Sequence, residues 1–248
     1  MGDVLNLWDS PEDARTGHFI VGVFVTNTVT PRGVIQVPAG FIPALRFRIL
    51  TPLFDTLGQA GMKESLLKSR LVTQMELRGD EAILDFGCGT GTLCLLIKDR
   101  YPGCVVRGVD IDSQILGIAR EKAHRRGVEI PFDEYDGISL PYRGGSFDAV
   151  VSSLVFHHLS GEEKIRVLRE IHRVLKRGGA LHIMDFGIPR TRYARIMAFF
   201  LKHLEPTRDN ILGRIPGYLA EAGFEEAGEL HHEETIFGSV SFWQARRP

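Results

Sequence analysis

The segment Ile83 to Leu93, ILDFGCGTGTL, constrains this chain more than any other stretch of it. Its first part continues an apolar run, Ala82 to Phe86, suited to a strand buried on both faces of a sheet. Gly87, Gly89 and Gly91 follow at alternate positions, and Thr92 to Arg100 then reads as a helix. Strand, glycine turn and helix form a general nucleotide-binding device, because glycines let the backbone approach the ligand while helix amides face it. The turn is GxGxG, whereas the dinucleotide fingerprint GxGxxG needs glycine where Thr92 stands. That difference disfavours NAD. Asp110 ends the next strand-like run, where a carboxylate can accept both hydroxyls of a ribose.

From about residue 80 onward, strand-like and helix-like segments alternate, the signature of a parallel sheet with crossover helices. Strands are expected over Val105 to Val109, Ile130 to Glu134, Phe147 to Ser153 and Ala180 to Met184, with Pro131 better suited to an edge or a strand start. Between them, Ser113 to Arg126 reads as a helix, with Asp112 as its cap. Ser160 and Glu163 form a capping box before a helix that repeats Ile165, Leu168, Ile171 and Leu175 and stops at Arg177-Gly178-Gly179. Helical stretches near Arg192 to Leu204 and Ile215 to Ala222 lead to a closing hairpin, Gly228 to Ile236 and Val240 to Ala245.

The segments ILDFGCGTGTL, VRGVDID, DGISLPYRGGSFDAVVSSLVFHHL and REIHRVLKRGGALHIMDFG resemble, in order and spacing, the successive motifs of class I S-adenosylmethionine-dependent methyltransferases. The resemblance covers about residues 65 to 248 and is nearest to the small-molecule enzymes related to the ubiquinone/menaquinone C-methyltransferases. It implies an α/β fold: a Rossmann-like, seven-stranded, mostly parallel sheet with helices on both faces, a C-terminal antiparallel hairpin and an N-terminal extension. S-adenosylmethionine is the implied cofactor and S-adenosylhomocysteine the product. Carried over, Asp85 would face the methionine amino group, while Gly87, Gly89 and Gly91 pass under the cofactor. Asp110 would hold the ribose hydroxyls, with Ile111 against the adenine. Asp136 matches the residue that accepts the adenine amino hydrogen, Gly137 and Ile138 offer backbone to the ring, and Ser152 and Ser153 end a strand beside the sulfonium.

Methyl transfer from a sulfonium needs alignment and exclusion of water more than a protein nucleophile. A base is needed where the acceptor must lose a proton. His157 and Asp185 are the catalytic candidates, each just beyond an expected strand at its carboxyl end; His158 is expected to be structural. His231-His232 lacks metal-ligand spacing and reads as solvated strand, and no metal site is expected. Cys88, Cys94 and Cys104 form no CxxC and read as buried thiols.

Residues 1–78 differ in kind from 79–248 and read as an extension or lid over the methyltransferase domain. Phe41, Phe47, Phe54, Tyr193, Met197, Phe199 and Phe200 could line an apolar pocket for an aromatic or prenylated acceptor, or could cover the sheet. Arg46 and Arg48 suit a solvated face, with an anionic group or phospholipid surface as the alternative. The net charge of −1 opposes a dedicated nucleic-acid binder. No apolar run reaches the roughly 18 residues of a membrane span. Acidic and polar residues follow Met1, so a cytoplasmic location is the default expectation, and a homodimer is compatible with it. The expected activity is methylation of a small, apolar or aromatic/prenylated molecule. The alternatives are methylation of RNA or protein, and cofactor binding without transfer.

Overall fold

The computed structural model of the chain describes residues 58–201 and 207–248. Within them lie β1 (Ala82–Phe86), β2 (Val105–Asp110), β3 (Phe132–Glu134), β4 (Phe147–Ser153), β5 (Leu175–Phe186), β6 (Glu225–Thr235) and β7 (Gly238–Arg246). The helices are α1 (Gly58–Gln74), α2 (Thr92–Arg100), α3 (Ser113–Arg125), α4 (Gly161–Val174), α5 (Arg192–Leu201), α6 (Arg208–Ile211) and α7 (Ile215–Glu221), and a 3-10 turn spans Phe156–His158. One sheet runs in the order β3-β2-β1-β4-β5-β7-β6. β1 to β5 are parallel, and β7 pairs antiparallel with both β5 and β6. This is the expected Rossmann-like sheet with its closing hairpin.

Alternation of side chains along the buried strands divides the apolar core into two layers. Ile83, Val106, Val151 and Phe242 face one way and pack with Leu71 and Val72 of α1, Cys94 of α2 and Leu116 of α3. Leu84, Val109, Val150 and Trp243 face the other way and pack with Leu168 and Ile171 of α4 and Leu219 of α7. Helices therefore cover both faces, and every loop after a parallel strand opens at one carboxyl edge. Strand order reverses between β1 and β4, the position where open α/β sheets bind ligands.

Several local signals act as read. Asp112 caps α3 through the amides of Gln114 and Ile115, and Ser160 with Glu163 completes the capping box of α4. β3 is a three-residue edge strand that begins after Pro131, because proline has no N–H for the ladder. β5 begins at Leu175 rather than Ala180. Phe147 pairs with Leu175 and then Ala149 with Ala180, so Arg177-Gly178-Gly179 forms an irregularity within the strand rather than a gap before it. A Cβ at Gly179 would lie 2.8 Å from the Lys176 carbonyl oxygen and 2.9 Å from that of Asp148, which only glycine accommodates.

α1 lies inside the segment expected to be an extension, yet Leu71 and Val72 are buried in the sheet core. The expectations at Phe41, Phe47, Phe54, Arg46 and Arg48 fall outside the described residues. Tyr193 and Phe199 are half exposed on α5, whose buried side is formed by Ala194 and Ala198. Leu71→Ala should lower unfolding stability by about 2–5 kcal/mol, the cost of a large-to-small core substitution. Urea denaturation checks this, and an unchanged midpoint would separate α1 from the core.

Candidate active site

The candidate site is built where β1 turns into α2. Gly87, Gly89 and Gly91 have φ of 68°, 51° and 71°, left-handed values that side chains rarely adopt. Space is equally short: a Cβ at Gly87 would meet Val155 at 2.4 Å, and one at Gly91 would meet Phe132 at 2.8 Å. The turn is anchored on β2, since the Gly87 and Cys88 amides both donate to the Val109 carbonyl. Asp110 continues the anchoring. Its Oδ2 accepts from the Gly89 amide at 2.9 Å and its Oδ1 from the Asp112 amide at 3.1 Å. Burial is the largest influence on the Asp110 carboxyl and lifts it above the ordinary aspartate value.

Asp85, at the end of β1, is buried beneath this turn and accepts a hydrogen bond from the Cys94 thiol at 3.2 Å. Burial pushes its pKa up to about 6. A carboxylate held this way gains from a cationic partner, and Lys68 of α1 supplies part of that field. Ser153, on the same side of the sheet, has a buried Oγ without a hydrogen-bond partner. Ser152 differs: its hydroxyl is fully buried and donates to the Phe86 carbonyl at 3.0 Å, joining β4 to β1.

On the other side of Asp110, Asp136 accepts from the amides of Ile138 and Ser139 through Oδ1. Gly137, at φ 76°, shapes that turn. Ile111 and Ile138 are exposed apolar side chains on the loops after β2 and β3. The glycine turn, Asp110, Asp136 and these two isoleucines therefore share the carboxyl edge.

Past β4 the backbone bends sharply. Leu154 has φ 59°, an uncommon conformation for a residue other than glycine, and its amide donates to the Met184 carbonyl. That bend directs Val155 onto Gly87 and the 3-10 turn onto the end of β5. His157 Nδ1 lies 2.8 Å from Asp185 Oδ1, and the His157 amide donates to Asp185 Oδ2 at 3.2 Å. Asp185 is fully buried and His157 is 6% exposed. Burial, the largest single influence, works to raise the Asp185 carboxyl. The charge and hydrogen bond of His157 and the amide of Phe186 outweigh it and hold the group below its usual value. His158 lies beside His157, with ring centroids 3.9 Å apart and the rings tilted by 43°. Burial and then the charge of His157 lower its pKa to about 4, so it stays neutral near pH 7.

The two catalytic candidates are thus one buried pair, while His231 and His232 lie on the outer strand β6. The three cysteines are free and buried. Among the described residues no group of three His, Cys, Asp or Glu side chains could hold a metal ion. Sequence reading passed over Lys122, whose ammonium donates to Thr92 Oγ1 at 2.7 Å and Thr90 Oγ1 at 3.1 Å. It also passed over the Cys94 contact with Asp85. Neither has a local sequence signal, because each joins residues from different elements.

Residues 83–179 match a family described as a methyltransferase domain. Among its curated relatives, the demethylmenaquinone methyltransferase of Thermus thermophilus is 42% identical over 112 residues, 45% of this chain and 50% of that protein. A ubiquinone/menaquinone biosynthesis C-methyltransferase of Xanthomonas oryzae pv. oryzae is 33% identical over 124 residues, 48% of each chain. The chain spans about half the length of these curated relatives. The solved structure of the YcgJ protein from Bacillus subtilis has the same fold, with a TM-score of 0.61 at 18% identity over 73% of this chain and 97% of that one. A structure titled as the [4+2]-cyclase SpnF shares it too, with a TM-score of 0.59 at 21% identity over 74% and 81%.

The cofactor implied by this domain and fold is S-adenosylmethionine. The residues present fit it: a glycine turn that closely packed neighbours keep free of side chains, a ribose-type carboxylate at Asp110 and a buried carboxylate at Asp85 for an ammonium. Asp110→Ala should weaken cofactor binding strongly in calorimetry, and an unchanged affinity would remove the ribose assignment. Asp85 gives a pH test. Its ionised form is the one that attracts the ammonium, and it predominates only above about pH 6. Affinity should therefore be full near pH 7 and fall as pH drops below about 6, by up to roughly tenfold per unit. Asp85→Asn should flatten that profile and bind more weakly at pH 7.

Proposed function

We propose that this chain transfers a methyl group from S-adenosylmethionine to a small aromatic acceptor carrying ring oxygens, with quinone-type compounds as the leading class. The carrying observation is the buried His157–Asp185 pair at the carboxyl edge, close to the glycine turn through Val155. The relatives named as demethylmenaquinone and ubiquinone/menaquinone methyltransferases supply the acceptor class. When bound, S-adenosylmethionine supplies an activated methyl group for in-line displacement.

The protein's own work is to bind, orient and manage one proton. Asp85, Asp110 and Asp136 hold the cofactor at three points along the edge, with Ile111, Gly137 and Ile138 around its adenine and Ser153 beside its sulfonium. Asp185 accepts from His157 Nδ1 and so places the lone pair of the ring on Nε2. It also stabilises the imidazolium that forms when Nε2 receives a proton. A phenolic acceptor gains nucleophilicity as its hydroxyl proton moves to His157. Burial of the pair removes competing water, which strengthens the interaction between carboxylate and imidazolium.

Two alternatives are separated by one assay. A net charge of −1 gives little support to an RNA target. The shared fold of a structure titled as a cyclase favours keeping a reading without methyl transfer in view. Methyl-tritiated cofactor should label a reduced quinone-type acceptor. Label in RNA or protein, or in nothing, would overturn the proposal. Within it, His157→Gln should lower kcat by about 10²-fold or more while leaving cofactor affinity within about twofold. A loss of cofactor affinity equal to the loss of rate would remove the base assignment.

A further inference from the structure

Buried polar side chains in folded proteins almost always find partners, so an orphan needs an explanation. Asn210 is fully buried, and neither its amide nitrogen nor its amide oxygen makes a hydrogen bond. Among the described residues no other side chain has two separate polar atoms left in this state. Each unmade bond leaves a desolvation cost with no return, so a chain selected for stability alone would place an apolar residue here.

The position of Asn210 suggests what it waits for. Thr207 and Asn210 are three residues apart on one turn of helix, and both are fully buried. Asp209, between them, is partly buried and accepts from Arg214 at 2.9 Å and from the Tyr218 hydroxyl at 2.7 Å. α6 packs against the 3-10 turn and against β5, so its buried face is turned toward the elements that carry His157 and Asp185. Gly213, just past α6, lies against Ile188 from the loop after β5. α6, and Asn210 with it, therefore lies beside the elements that carry the histidine–aspartate pair.

Resting on the methyl-transfer reading above, we propose that Asn210 is an acceptor-binding residue, whose amide receives a ring hydroxyl or keto oxygen of the substrate near His157. The chemistry of the amide selects the class. It is neutral and presents one donor end and one acceptor end, which matches a hydroxyl, itself donor and acceptor. It offers no charge of its own to a carboxylate, phosphate or ammonium, whose desolvation the amide would leave uncompensated. A quinol ring satisfies the amide through both functions, and a quinone through the donor end alone. The reduced form therefore binds more tightly than the oxidised form. Substrate thus supplies the partners that the fold withholds.

Asn210→Leu tests this directly, because it keeps the volume and removes the orphaned groups. The full-length protein is first titrated with S-adenosylhomocysteine, and the saturated complex is then titrated anaerobically with a short-chain 2-prenyl-1,4-naphthoquinol by calorimetry. Wild type should bind this probe, and Asn210→Leu should bind it at least tenfold more weakly. Its affinity for S-adenosylhomocysteine should be unchanged, and its Tm equal to wild type or higher. Equal probe affinity in the variant overturns the proposal. A Tm several degrees below wild type also overturns it, since the amide would then be supporting the fold. A wild-type chain that takes S-adenosylhomocysteine but not the quinol overturns the Asn210 assignment alone, and one that takes neither overturns the methyl-transfer reading with it. A wild type that binds quinone as tightly as quinol removes the selectivity argument.

Discussion

The backbone tie between the glycine turn and β2 is the constraint on which the rest of the edge depends. Two successive amides, of Gly87 and Cys88, reach the same carbonyl of Val109, and the Gly89 amide reaches the Asp110 carboxylate. Those bonds form only if the turn adopts left-handed φ values, and Val155 and Phe132 then close over the places where side chains would stand. The same tie determines where Asp85 ends, how α2 leaves, and how near Asp110 comes to the turn. A site of this kind is rigid because its turn amides are already satisfied within the fold, by the Val109 carbonyl and by Asp110, whose carboxylate oxygens keep further lone pairs for a ligand.

Much of this was legible in the sequence because it is local. The apolar run before the turn, the alternate glycines, the Asp112 cap and the Ser160–Glu163 capping box each act within a few residues. β1, α2, β4 and α4 accordingly fall where periodicity and caps place them. The early start of β5 was hidden because Gly178-Gly179 looks like a helix stop, and its accommodation depends on the distant Asp148 carbonyl. α1 was hidden by apolar and proline-rich neighbours upstream, although Leu71 and Val72 complete the core.

The candidate site divides in the same way. Asp85 and Asp110 lie at the ends of β1 and β2 and Asp136 just beyond β3, so strand prediction locates them. His157 and Asp185 were each visible as strand-end residues, but their pairing depends on the bend at Leu154, which no residue type in SSLVF announces. Asn210 was invisible altogether. Its significance lies in the absence of partners across a tertiary contact, which a sequence cannot display.

The two margins of the sheet show how such a molecule remains a single sheet. β3 is three residues long and begins after a proline, and β6 carries Glu225, Glu226, Glu229, His231, His232, Glu233 and Glu234 with two breaks in register against β7. A short strand offers few unpaired amides, and an irregular, strongly acidic one repels its own copy. Strand addition is thus discouraged at both margins by different means, brevity on one side and charge on the other. Among the described residues, the two margins of the sheet therefore disfavour self-association by strand addition.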